Sequence, residues 1–155
     1  MDTDSGTGVR VLATDACWVL LRSTEVGRLA VSVAGDPDIF PVNFVVDHAT
    51  IVFRTAPGTK LASVVIGHAV AFEVDGYEPD AGETWSVVVK GRGEQITRSQ
   101  ELIDTTDLPL FPWQAGEKHR FVRIAPREVS GRRFHVVDRA VWKTPVTDAQ
   151  RTSLD

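Results

Sequence analysis

The sequence predicts a mainly β domain in which six or seven antiparallel strands close into a small barrel, accompanied by two or three short helices. Apolar and polar residues alternate in several stretches of strand length, and most of these stretches are joined by short turns. Short connections favour antiparallel pairing, because parallel strands need long crossovers. The chain has 155 residues, enough for one domain with a real core. Many strands with few helices are typical of a closed barrel.

The first half of the chain predicts a helix followed by a three-stranded meander. The helix is expected through residues 16–22, with Thr14 or Asp15 as its N-cap and Cys17 as a small buried residue. The strands are expected at residues 29–33, 40–46 and 51–54. Pro41 lacks an N–H, so its strand should lie locally at a sheet edge or a bulge.

The second half of the chain predicts four more strands. They are expected at residues 70–75, 85–96, 119–124 and 128–136. Gly91 and Gly93 inside the second of these predict a bulge or the bend of a barrel corner. A helix is expected to start at Ser99. The apolar loop 107–117, which contains Trp113, is expected either to pack on the domain's own core or to cover a ligand or a partner subunit.

Composition and charge restrict the class of protein. We expect residues 1–10 to be a disordered leader, residues 11–137 the folded domain and residues 138–155 a tail. The net charge of −4 argues against a nucleic-acid binder. Cys17 is the only cysteine, which excludes an internal disulfide and fits a cytoplasmic protein. No apolar run approaches the roughly 20 residues of a transmembrane helix, so no membrane association is expected.

The usual catalytic motifs are missing from the sequence. No serine lies in a G-x-S-x-G elbow, and the four histidines have no metal-ligand spacing. Glu73 and Asp75 share one strand face and are expected to be its solvent-facing side. The glycines around Arg92 lie inside a predicted strand, so they are no nucleotide-binding fingerprint.

The stretch IVFRTAPGTKL, from Ile51 to Leu61, is the strongest candidate for a binding site. A strand ends at a Pro-Gly turn, and Thr59, Lys60 and Leu61 open a predicted helix that runs to Ile66. The first N–H groups of a helix have no partner within it, the helix dipole attracts anions, and Lys60 adds a full charge. These residues predict an anion site. Polar turns of this kind also occur without a ligand, so both interpretations stay open at this point.

Six stretches of the chain, taken in order, suggest a family. They are GRLAV from Gly27, PVNF from Pro41, VFRTAPGTKL from Val52, FEVD from Phe72, WSVVVKGRG from Trp85 and RFVRIAPREVSGR from Arg120. Together they resemble the pyridoxamine 5′-phosphate oxidase-like family of split β-barrel, flavin-binding proteins. The resemblance spans residues 15–134 and rests on the combination rather than on one motif.

The resemblance implies a homodimer with two FMN sites at the interface between its subunits. The implied cofactor contacts are Val42 and Asn43 with the isoalloxazine ring, Arg54 and Thr55 with the ring or ribityl chain, Thr59, Lys60 and Leu61 with the phosphate, and Ser86 and Trp113 from one of the two subunits. The flavin carries the redox chemistry in such proteins, so no catalytic base need be visible in the sequence.

The activity implied by the resemblance is that of an oxidoreductase acting on a small molecule, with a nicotinamide as a possible reductant. The tail lacks the basic, histidine-containing stretch that pyridoxamine phosphate oxidases use for substrate, and Arg54 stands where nitroimidazole-resistance relatives carry histidine. Some relatives use a deazaflavin. Arg54 and Lys60 are few basic residues for its long anionic tail, which favours FMN. A flavin-binding module without catalysis is the alternative.

Overall fold

The described part of the chain forms seven strands and two short helices. The structure, a computed structural model, describes residues 8–55, 59–96 and 120–136. The elements are β1 (Val9–Val11), α1 (Thr14–Arg22), β2 (Val26–Val33), β3 (Asp36–Val46), β4 (Ile51–Thr55), α2 (Lys60–Val65), β5 (Ala69–Glu78), β6 (Glu83–Gln95) and β7 (Arg120–His135). The predicted mainly β class is confirmed. The predicted helix at Ser99, the apolar loop with Trp113 and the tail lie outside the described residues.

The strands pair around a ring. Their order is β1-β7-β4-β3-β2-β5-β6. Because β6 also pairs with β7, the six strands from β2 to β7 form a closed ring. Each named pair is antiparallel. The strands of the ring share the fewest paired residues at two seams, β2–β5 and β3–β4, where three residue pairs join each pair of strands. The strands therefore surround the core as a ring that is weakly closed at these two seams.

The core fills the inside of the ring and reaches the helices. Phe53, Phe72 and Leu29 are fully buried, and the rings of Phe72 and Phe44 meet edge to face with centroids 4.7 Å apart. Helix α1 packs its buried residues Cys17, Trp18 and Leu21 against this core. The predicted burial of Cys17 is confirmed, and that burial raises the pKa of its thiol. The N-cap of α1 is Ala13, so the expected cap at Thr14 or Asp15 is wrong by one or two residues.

The meander β2–β3–β4 confirms three predicted strands. Pro41 pairs with Arg28 of β2, whereas β3 meets β4 only from Phe44 onward. Pro41 therefore lies where β3 has a neighbour on one side, which confirms the predicted local edge. Strand β1 begins at Val9, inside the range expected for the leader.

Strand β7 is continuous where the sequence predicts two strands, so the predicted break near Pro126 is wrong. Pro126 pairs with Gly91 of β6, and the register between β6 and β7 shifts between Lys90 and Gly91. This irregularity accommodates a residue without an N–H inside a paired strand. The bulge predicted from Gly91 and Gly93 is thereby confirmed. Among the described residues, no helix is long and apolar enough to cross a membrane.

Candidate functional site

Strand β4 leads into helix α2 at the predicted anion site. Thr59 has the extended conformation of an N-cap residue, and α2 begins at Lys60. Lys60 is exposed, while Ala62 and Val65 are buried and anchor the helix on the core. The predicted helix is confirmed, but it has only six residues. In so short a helix the dipole is small, so the charge of Lys60 supplies most of the attraction for an anion.

The end of α2 is attached to β6 through Gly93. The N–H of Gly67 donates to the carbonyl of Gly93 at 2.8 Å, and the N–H of Gly93 donates to the carbonyl of His68 at 3.1 Å. A Cβ at Gly93 would lie 2.3 Å from the carbonyl oxygen of Val65, much closer than real Cβ contacts. Only glycine allows this approach, and the approach fixes where α2, and with it Lys60, lies.

A small apolar cluster lies on the outer face of the ring, beside β4. Successive side chains of a strand alternate between faces, so Val52 and Arg54 point away from the inner core that contains Phe53. Val52 and Ile96 are buried on this outer face, with half-buried Val45 and Phe121 packed against them. We call Val45, Val52, Ile96 and Phe121 the outer apolar cluster.

Polar residues border the outer apolar cluster. The guanidinium carbon of Arg54 lies 5.3 Å from the centre of the Phe121 ring, a cation–π distance. Phe44 pairs with Phe53, so Asn43 and Arg54 occupy neighbouring positions one residue beyond that pair. Asn43 and Arg54 are both half-buried. The structure therefore brings two of the predicted ring-binding residues together at the edge of an apolar surface.

Two other predicted residues of these strands face inward. Val42 is part of the inner core and is 8% exposed, so its backbone, rather than its side chain, faces the outer surface. Thr55 is 4% exposed and ends β4 opposite Arg120. Burial of a hydroxyl is typical of a side chain with a fixed hydrogen-bonding role.

The remaining predicted residues lie apart from this group or outside the described ranges. Leu61 is half-buried and packs against the inner core. Ser86 is half-buried on β6 and pairs with Asp75 of β5, so β5 and β2 separate it from Asn43 on β3. Trp113 lies outside the described residues. Within one chain the structure does not bring Ser86 to Arg54.

The family model for pyridoxamine 5′-phosphate oxidase matches residues 13–133. The chain belongs to the pyridoxamine 5′-phosphate oxidase family. A Mycobacterium tuberculosis relative is 32% identical over 128 residues, which cover 79% of this chain and 84% of the relative. The resemblance stated from the sequence is confirmed.

Two solved structures share the fold and part of the sequence. The FAD-binding protein of Mycobacterium smegmatis is 38% identical, with a TM-score of 0.76 over 83% of this chain and 100% of that one. A FAD-binding protein of Mesorhizobium loti is 29% identical, with a TM-score of 0.64 over 81% of this chain and 97% of that one. This member of the pyridoxamine 5′-phosphate oxidase family therefore has the fold of two proteins that bind FAD.

An ion pair holds the turn beside the outer apolar cluster. Nη2 of Arg123 lies 3.0 Å from Oδ2 of Asp47, and Nη1 of Arg123 donates to the hydroxyl of Thr50. Both charged side chains are about one-fifth exposed, at 19% and 22%. Burial alone would raise the pKa of Asp47, but hydrogen bonds from Arg123 and His48 outweigh it and hold the pKa below the ordinary value of 3.8.

We expect the Asp47–Arg123 pair to stabilise the fold in a pH-dependent way. Because the pKa of Asp47 is depressed in the folded state, its contribution is complete above pH 3.8 and is lost as pH falls through the folded pKa. Asp47→Asn should lower the free energy of unfolding by about 1 kcal/mol at pH 7, as for a good partly exposed pair. The difference from wild type, measured by urea unfolding, should shrink below about pH 4. Asp80→Asn, at an exposed position, is the matched control; a pH-independent difference for Asp47→Asn would contradict the assignment.

The Glu73–Asp75 pair has a structural partner. Nε and Nη2 of Arg28 donate to Glu73 at 3.0 and 3.3 Å, and Nη2 also contacts Asp75. Burial raises the pKa of Glu73, and a hydrogen bond from Glu73 lowers that of Asp75. The arginine thus binds both carboxylates across the β2–β5 seam, where only three residue pairs join the strands. Among the described residues, no group of three His, Cys, Asp or Glu side chains could hold a metal ion.

Sequence reasoning missed several residues of the candidate site. Val45, Val52, Ile96 and Phe121 form its apolar surface, and Arg120 lies opposite Thr55 at its edge. Strand alternation was a usable signal for Val45 and Val52, because both alternate with inward-facing neighbours. Nothing in the local sequence links β4 to Phe121 or Arg120, since the register of β7 decides that contact.

Proposed function

We propose that this chain binds a flavin nucleotide, with the flavin ring on the outer apolar cluster and the phosphate next to Lys60, and that it is an oxidoreductase acting on a small molecule. One observation carries the proposal. An apolar surface on β4 is bordered by Asn43 and Arg54, and the next element along the chain begins at the exposed Lys60, in a chain that shares its fold with two FAD-binding proteins.

The chemistry of the outer apolar cluster suits a flavin ring. An isoalloxazine has two broad apolar faces and a polar pyrimidine edge, and ligand pockets combine apolar walls with a few polar groups in the same way. Val52 and Phe121 offer the apolar contact, while Asn43 and Arg54 offer donors at its edge. The guanidinium of Arg54, already fixed over Phe121, is ordered before a ligand arrives, which lowers the entropy cost of binding.

The phosphate group is common to FMN and FAD. Lys60 is exposed at the first position of α2, and Thr59 just before it and the buried Thr55 at the end of β4 carry hydroxyl groups. The protein carries a net charge of −4, so an anionic ligand depends on local cations such as this one. These residues support a ribityl phosphate.

The bound flavin would supply the redox chemistry, accepting or giving a hydride. The role of the chain's own residues is to hold the ring against an apolar surface, orient its polar edge and exclude water. A nicotinamide is the proposed reductant. We further propose a homodimer in which Ser86 and Trp113 reach the flavin from the partner subunit, because Ser86 lies two strands away from Asn43 within one chain.

Flavin binding is tested with the purified full-length protein. We expect a co-purified flavin, identified by its mass and absorbance spectrum, and quenching of flavin fluorescence when riboflavin, FMN, FAD or a deazaflavin is titrated into protein freed of its ligand. No binding of any of the four would overturn the proposal. The proposed homodimer is tested by sedimentation of the protein at increasing concentration.

Catalysis is tested separately from binding. Anaerobic reduction of the flavin-loaded protein by a nicotinamide, followed by a set of small-molecule acceptors, should give turnover well above that of the same concentration of free flavin. Tight flavin binding with turnover no faster than free flavin would instead identify a flavin-storing or flavin-sensing module.

A further inference from the structure

Part of strand β3 has a neighbouring strand on one side only, within the residues that the structure describes. β3 pairs with β2 from Asp36 to Asn43, but it pairs with β4 only from Phe44 onward. We call residues 36–42 the open edge of β3. The side chain of Ile39, in the middle of this stretch, is 60% exposed. An exposed edge of this length is a ready template for pairing with a strand of another chain.

The backbone groups of the open edge alternate between β2 and the open side. Successive residues of a strand direct their N–H and C=O groups to opposite sides. The N–H of Phe44 donates to the carbonyl of Glu25, next to β2, at 3.0 Å, and Asp47 exchanges both backbone bonds with Thr50 across the turn to β4. Even-numbered residues of β3 therefore direct their backbone groups toward β2. The backbone groups at positions 37, 39 and 41 point to the open side.

The outward positions of the open edge offer acceptors without available donors. Pro37 and Pro41 have no N–H group. The N–H of Ile39, between them, donates to Oδ1 of Asp38 at 2.8 Å. The carboxylates of Asp36 and Asp38 are exposed on the same stretch, so two such edges placed side by side would repel each other.

We propose that the open edge of β3 prevents strand pairing with a second copy of this chain. An antiparallel ladder exchanges an N–H and a C=O at each outward position, and this edge supplies the C=O alone. Prolines and charged side chains are the means by which natural sheets block their edges. The inference goes beyond the proposed function, because it excludes pairing of β3 with β3 as the contact between the subunits of the proposed homodimer.

The experiment gives the open edge the donors that it lacks. Pro37→Thr/Asp38→Ala, the edge variant, adds an N–H at position 37 and releases that of Ile39. Pro79→Thr/Asp80→Ala makes the same two substitutions in the exposed turn between β5 and β6 and is the matched control. Sedimentation velocity of the full-length proteins is measured over a range of concentrations, after thermal unfolding has shown that each variant is folded.

We expect the edge variant to form species larger than those of wild type at the same concentration. Self-association should be tighter by about tenfold or more, as for two or more added backbone hydrogen bonds. The control should sediment like wild type. Adding Ile39→Pro to the edge variant removes the released donor and should restore the sedimentation of wild type.

Two results would overturn the inference. If the folded edge variant sediments like wild type, the missing donors are not what keeps two edges apart. If the control associates as strongly as the edge variant, loss of a proline and a charge is enough and the edge plays no part. Should the edge variant not fold, Pro41→Thr adds one donor to the same edge, and its sedimentation as wild type would reject the inference equally. Flavin binding by wild type decides the proposed function separately, so the two can fail independently.

Discussion

Lys60→Ala is expected to weaken FMN binding by about ten- to 150-fold. Loss of a hydrogen bond to a charged group costs about 1.5–3 kcal/mol, which corresponds to that range of dissociation constants. The effect should be large because Lys60 is the charge that begins α2, a helix too short for its dipole to replace it. Fluorescence quenching with FMN measures the change directly.

Riboflavin separates the phosphate from the rest of the flavin. Riboflavin lacks the phosphate, so its affinity should be the same in wild type and Lys60→Ala. Lys60→Arg keeps the charge and should recover part of the FMN affinity. Lys90→Ala removes an exposed lysine from β6 and is the control for net charge. An unchanged FMN affinity in Lys60→Ala, or an equal loss for riboflavin, would show that Lys60 does not hold the phosphate.

Salt provides a second measurement of the same contact. An exposed cation acting on a phosphate is screened by ions, with a Debye length of about 10 Å at 0.1 M ionic strength. FMN affinity should therefore fall as salt is raised in wild type and fall less in Lys60→Ala. Riboflavin affinity should change little in either protein.

The parts of the fold that depend on local pattern could be predicted from the sequence. The alternation in β2, β3 and β4 predicts three strands, and the Pro-Gly turn before Lys60 predicts the start of α2 to within one residue. Both signals are local, because strand period and helix initiation depend on a few neighbouring residues. Pro41 even predicts the stretch of β3 that lacks a neighbour on one side.

The parts that depend on register could not be predicted in this way. Pro126 is a local strand breaker, yet β7 continues through it, because the register of β6 against β7 shifts between Lys90 and Gly91 and accommodates it. The resemblance to the family pairs Val42 with Asn43 as ring contacts, but alternation sends the side chain of Val42 into the core. Phe121 reaches Arg54 only because β7 pairs with β4 across a long separation in sequence. A candidate site built on such pairings becomes visible only when the ring of strands is complete.

Gly93→Ala is expected to have the second large effect, because it acts on the position of Lys60 from a distance. The new Cβ would lie 2.3 Å from the carbonyl oxygen of Val65 and 2.6 Å from its Cγ1, so the backbone at the end of α2 must move. Overpacking of this kind costs about 1–3 kcal/mol, and contact with backbone favours the upper end. For a chain of this size we expect a fall in Tm of about 4–10 °C, measured by thermal unfolding.

Gly91→Ala supplies the control that separates stability from function. Its Cβ would lie 2.2 Å from the carbonyl oxygen of Ala125 in β7, so the expected loss of stability is similar while α2 is not touched. Both variants should unfold earlier than wild type, but only Gly93→Ala should displace α2 and lower the ratio of FMN affinity to riboflavin affinity. In that ratio Gly93→Ala should approach Lys60→Ala, because a displaced lysine and a missing lysine both leave the phosphate without its cation. If Gly93→Ala keeps the wild-type ratio despite its lower Tm, the close approach of β6 to α2 does not position Lys60.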